Sequence, residues 1–145
     1  MSKRKVKIKM DDLLEYFEEG SYEVQHFLDI EKGEIITLME WDEDEKLREE
    51  IESGGERYIL LPEQDSRTGY RDMVDFTETV EDQNLQEKLW IALDGKGAFR
   101  RFKDVLYNYP EERERWFKFQ YEKKKSRLLK WLKDEEIEIE EPKEN

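Results

Sequence analysis

The spacing of apolar residues changes period near Ser66, and this change constrains the fold more than any other feature of the chain. Before it, apolar and charged residues alternate: Val6, Ile8 and Met10 against Lys5, Lys7 and Lys9, and then Tyr22, Val24, His26, Leu28 and Ile30. A period of two marks strands with one dry and one wet face. After it, apolar residues recur at helical spacing, through Tyr70, Met73 and Val74 and then Leu85, Leu89, Ala92 and Leu93.

Local signals divide these two halves into elements. The first alternating run predicts a short edge strand, and Asp11 or Asp12 caps a helix over roughly 11–19 that Gly20 stops. Strands at 21–31 and 34–41 form a hairpin in which Gly33 supplies a positive φ. Carboxylates from Asp42 onward favour a helix through Ile51, closed by Ser53-Gly54-Gly55, and Tyr58 to Leu61 reads as another strand. Three or four helices follow. In the third, Phe99, Phe102, Val105, Leu106 and Tyr109 share a face; in the last, Trp116, Phe117, Gln120, Tyr121, Leu128, Trp131 and Leu132 form the apolar stripe. Ile137 and Ile139 suggest a final edge strand.

The expected architecture is α+β: an N-terminal antiparallel meander sheet of about four strands with helices packed on it, then a mainly helical half with a long last helix. With 145 residues, the chain is expected to form a single domain over 1–141 with a flexible tail at 142–145. Charged residues make up 45% of the chain, a level compatible with folding here because 18 Phe, Trp and Tyr residues fall in periodic blocks. There is no cysteine, so disulfides, thiolate nucleophiles and Cys-ligated metals are excluded. The basic N-terminus leads into no continuous apolar stretch, and no run approaches the roughly 20 apolar residues of a membrane span. A cytoplasmic location without a membrane partner is expected.

Charge is segregated along the chain. Residues 1–10 carry +5, 11–52 carry -14, 53–94 carry -6, 95–133 carry +8 and 134–145 carry -6, for a total of -13. The simplest consequence is self-complementation, with the basic helices lying against acidic segments of the same molecule. An external polyanion would need a separate basic face, since charges are screened only beyond about 8 Å at physiological salt.

The densest basic and aromatic cluster is Gly95-Lys96-Gly97-Ala98-Phe99-Arg100-Arg101-Phe102-Lys103-Asp104. Glycines before a helix invite a phosphate site, but the spacing and the Lys-Ser/Thr end of a nucleotide-binding loop are missing. The favoured reading is that Gly95 terminates one helix and Gly97 lets the next pack closely. Lys96, Arg100, Arg101 and Lys103 are the candidate contact residues, projecting outward while Phe99 and Phe102 face inward. Asp42 to Glu45 do not match a calcium loop, and His26, the sole histidine, has no ligand partner, so no metal or cofactor is expected. Catalytic residues are not identifiable.

The run from Leu89 to Asp104, followed by Trp116-Phe117, resembles a bacterial group known as uncharacterised protein family one-five-eight, whose hallmark is similar to the Gly95–Asp104 run. The resemblance covers most of the chain and implies no catalytic residues. The chain therefore reads as a non-enzymatic binding or regulatory module with a protein partner. The alternatives are a phosphate- or nucleotide-handling enzyme or a nucleic-acid-binding protein using the same cluster, and an acidic first half that mimics nucleic acid.

Overall fold

A computed structural model describes residues 4–142, so residues 143–145 of the expected tail lie outside it. The chain divides into two compact units, one formed by Met1–Gln64 with Lys124–Asn145 and the other by Asp65–Lys123.

In the first unit, β1 (Arg4–Lys7) is followed by α1 (Met10–Tyr16), β2 (Val24–Asp29), β3 (Glu34–Met39), α2 (Glu45–Ser53) and β4 (Tyr58–Leu60), and β5 (Ile137–Glu140) comes from the far end of the chain. The central strand β2 pairs antiparallel with both β3 and β4, giving a three-stranded sheet of order β3-β2-β4. The hairpin turns at Gly33, whose φ of 67° matches its expected role.

The four-stranded meander is corrected here. β1 pairs in parallel with β5 in a separate two-stranded sheet. Alternation reports that one face of a strand is dry, but it does not name the neighbour or its direction. The register places Lys5 beside Glu138 and Lys7 beside Glu140 on the wet face, while Val6 and Ile137 are buried. Opposite charges aligned across strands favour this pairing.

Helix α1 also ends at Tyr16, short of the expected end near residue 19, and its N-cap is Lys9, with Asp11 and Asp12 inside the first turn rather than capping it. Glu18 takes a left-handed φ of 61° and donates its N–H to the Pro62 carbonyl at 3.1 Å, which turns the chain away from the helix. Leu13, Leu14 and Phe17 join Val6, Leu28, Leu61, Leu128 and Leu132 in this unit's main core. Asp44 caps α2 by accepting from the Leu47 N–H at 3.0 Å.

The second unit is helical. It holds α3 (Ser66–Glu78), α4 (Gln83–Ala92), α5 (Ala98–Tyr107) and residues 110–123 of α6 (Pro110–Asp134), whose remaining residues belong to the first unit. Asp65 caps α3 through the Arg67 N–H and Asp82 caps α4 through the N–H groups of Asn84 and Leu85, each satisfying donors that a helix start leaves open. The core gathers Met73, Phe76, Leu85, Leu89, Phe102, Leu106 and Trp116. Trp116 stands edge-on to Phe76 at 5.2 Å and to Phe102 at 5.0 Å, a preferred aromatic geometry.

Two inward assignments are revised. Phe117 and Tyr121 are exposed, and the face of α6 turned into this core carries Trp116 and Phe119 instead. Phe102 is fully buried, whereas Phe99 is 42% exposed.

Candidate functional site

The basic cluster forms the connection from α4 into α5. Gly95 and Gly97 both adopt the left-handed region, with φ of 83° and 79°, which non-glycine residues enter at a cost. Added Cβ atoms would meet nothing at Gly95 and only the Arg101 Nη1, at 3.1 Å, at Gly97. Backbone conformation, rather than close helix packing, is what these glycines supply.

Arg100 and Arg101 are adjacent in sequence and differ in what they bind. The Arg101 Nε donates to the Ala92 carbonyl at 3.1 Å, Nη1 to the Lys96 carbonyl and Nη2 to the Asp94 carbonyl. The Tyr70 hydroxyl donates to the Leu93 carbonyl at 2.9 Å. The last carbonyls of a helix lack intrahelical partners and carry the negative end of its dipole, so a guanidinium fits there. Arg101 thus clamps the end of α4 and the loop after it. The Arg100 side chain is 90% exposed, with one distant contact to Asp104 at 4.0 Å. Lys96 and Lys103 are exposed as well. The four candidates therefore separate into one loop clamp and three outward cations.

An open groove of about 540 Å³ is lined by Ser66, Arg67, Tyr70, Arg71 and Val74 of α3 and by Phe99 of α5, the residue before Arg100. Arg67, Tyr70, Arg71 and Val74 follow i, i+3, i+4, i+7 spacing and so share one side of α3. In the sequence, Tyr70 and Val74 stand out only as part of a helical apolar spacing, and neither arginine stands out as a contact residue. The same spacing, read as a stripe mixing cations with apolar residues, was the signal for them. Lys103 follows Phe99 by one turn of α5 on the same side.

Elsewhere, three cations of α6 and the sole histidine have internal partners. In the basic run of α6, Lys123 pairs with Asp75 at 3.4 Å in the second unit; in the first, Lys124 pairs with Glu19 at 2.9 Å and Arg127 with Glu18 at 2.8 Å. These bonds are the self-complementation anticipated from charge. His26 is buried, with Nδ1 2.8 Å from the Thr37 hydroxyl. Burial lowers its pKa below the usual 6.5, while the nearby Glu19 carboxylate opposes this. Among the described residues, no group of three or more His, Asp or Glu side chains is placed to hold a metal ion, and no helix is long and apolar enough to cross a membrane.

Residues 3–143 match the model of a family described as an uncharacterised protein family, UPF0158. The chain belongs to this family. Among UPF0158 relatives, one from Pseudomonas aeruginosa is 29% identical over 115 residues, which is 79% of this chain and 75% of the relative. UPF0158 proteins of Chlamydia pneumoniae and Chlamydia trachomatis are 28% and 27% identical over 84% and 88% of this chain. The chain spans only about 40% of the length of these two chlamydial proteins, at 39% and 40%. No solved structure matches it.

Proposed function

We propose that the chain is a cytoplasmic, non-enzymatic binding module that contacts a protein partner through Lys96, Arg100 and Lys103, with Arg101 holding the loop that presents them. One observation carries this reading: of two neighbouring arginines, one is spent on backbone carbonyls and the other is left 90% exposed beside a 42% exposed phenylalanine. Exposed Arg and aromatic side chains are enriched where partners bind. Residues 1–141 are read as one domain because α6 is a single helix contributing to both units. Nucleic acid is the competing partner. The same cations favour it, and the net charge of -13 opposes it.

The test is affinity capture from cell extract with the wild-type protein and with an Arg100→Glu/Lys103→Glu variant of matched circular dichroism. Proteins retained by the wild type and lost by the variant are the expected result. Identical captured sets would overturn the assignment of the contact surface.

A further inference from the structure

The groove between α3 and α5 has an apolar floor and a cationic rim, and both are built rather than incidental. Phe99 is held there by a glycine. A Cβ on Gly69 would stand 3.1 Å from the Phe99 Cε1, so the absence of a side chain lets the ring settle on α3. Glycine inside a helix is otherwise unfavourable relative to alanine, which makes its place at this contact informative. The Tyr70 hydroxyl is occupied by the Leu93 carbonyl, leaving its ring as the surface offered.

On the rim, Arg67 and Arg71 are one helical turn apart, where like charges repel. Among the described residues, neither has a carboxylate within ion-pairing distance. Lys103 adds a third cation one turn beyond Phe99. Such a rim suits carboxylates, to which a guanidinium can donate two parallel hydrogen bonds. The groove is open to solvent, and its volume of about 540 Å³ accommodates a side chain from a second protein.

Resting on the binding-module reading above, we propose that this groove seats an acidic peptide segment carrying one apolar anchor side chain. The anchor lies among Tyr70, Val74 and Phe99, and the flanking carboxylates meet Arg67, Arg71 and Lys103. A long polyanion fits less well, because residues 65–123 carry 13 Asp and Glu against 11 Lys and Arg. A short segment keeps its few charges on the rim, whereas an extended nucleic acid meets the acidic remainder.

The experiment is a fluorescence anisotropy titration of the 145-residue chain with a labelled short peptide in which Asp and Glu flank a single Phe. The same peptide with Ser for Phe and an oligouridylate of similar length serve as comparison probes. Saturable, salt-sensitive binding of the Phe peptide is expected, weakened about tenfold by Arg71→Glu or Phe99→Ala and unchanged by Lys130→Glu. No saturable binding at low salt, equal binding of the Ser peptide, or tighter binding of the oligonucleotide would each overturn the inference. If the peptide fails while the Arg100→Glu/Lys103→Glu variant still loses captured proteins, the binding-module reading stands and the groove's occupant is wrong.

Discussion

Arg57 grips both oxygens of the Asp29 carboxylate, Nε to Oδ1 and Nη2 to Oδ2, each at 3.0 Å. Asp29 is 1% exposed at the end of β2, and its Oδ1 also accepts from the N–H groups of Glu31 and Lys32 in the hairpin turn. One carboxylate thus ties the turn to the residue that leads into β4. Arg57→Ala would leave that buried charge without its main partner, so it should lower the urea midpoint well beyond the change from Lys124→Ala, whose ion pair is partly exposed.

Acid should destabilise the protein in two stages. Burial lowers the pKa of His26, so the unfolded imidazole takes up its proton first as pH falls below about 6.5. Burial pushes Asp29 upward, but the hydrogen bonds from Arg57 and the turn outweigh it and hold the carboxyl below its ordinary 3.8. In both cases the folded pKa is the lower one. The stability each group contributes is complete above its unfolded pKa and is lost on acidification. Urea midpoints should fall between pH 7.5 and 5.5 in the wild type and stay nearly flat in His26→Gln. Asp29→Asn should start lower at pH 7 and lose less between pH 5 and 3. A midpoint that rises on acidification would contradict both assignments.

Gly33 and Gly95 share a positive φ and differ in surroundings. A Cβ at Gly33 would lie 1.9 Å from the Lys7 carbonyl oxygen, while one at Gly95 meets nothing within 4 Å. Gly95→Ala should therefore carry only the left-handed backbone cost of about 1–2 kcal/mol. Gly33→Ala adds a backbone clash between the hairpin turn and β1, for a total of about 3 kcal/mol or more. Chemical denaturation of the two variants side by side checks the difference.

Glu18 occupies a left-handed conformation at φ 61° while its carboxylate receives the Arg127 Nε and Nη2. Glycine would relieve the backbone at the expense of the pair, whereas alanine keeps the strain and loses the pair as well. Glu18→Ala should therefore be less stable than Glu18→Gly by about 1 kcal/mol, the reverse of the usual ranking within helices. Equal stabilities would mean that residue 18 carries no strain.

Much of the fold is legible in the residues themselves, because the hairpin and the helices are written in local spacing. Gly33 supplies the positive φ of its turn, but the cap expected at Asp11 or Asp12 is absent, both lying inside the first turn of α1, while Asp44, Asp65 and Asp82 cap three helices at positions the spacing alone did not single out. What local spacing leaves open are choices made by distant partners. Lys5-Val6-Lys7 alternates in the same way whether it joins the N-terminal sheet or pairs with Glu138-Ile139-Glu140, more than 130 positions along. Phe99 and Phe102 have equal claims on the core until Gly69, on another helix, gives Phe99 its seat. Arg100 and Arg101 are the same residue twice, and only the position of the α4 carbonyls separates them. The basic cluster was legible, but its division into a loop clamp and outward cations was not.

That division is tested most directly by urea unfolding of Arg100→Ala and Arg101→Ala measured together. Removing Arg101 withdraws the donor shared by the Ala92, Asp94 and Lys96 carbonyls and should cost about 2 kcal/mol, a loss that Arg101→Lys fails to restore because one ammonium cannot span the same three acceptors. Arg100→Ala should leave the midpoint where it was. Equal losses in the two variants, or a larger loss at Arg100, would contradict the account.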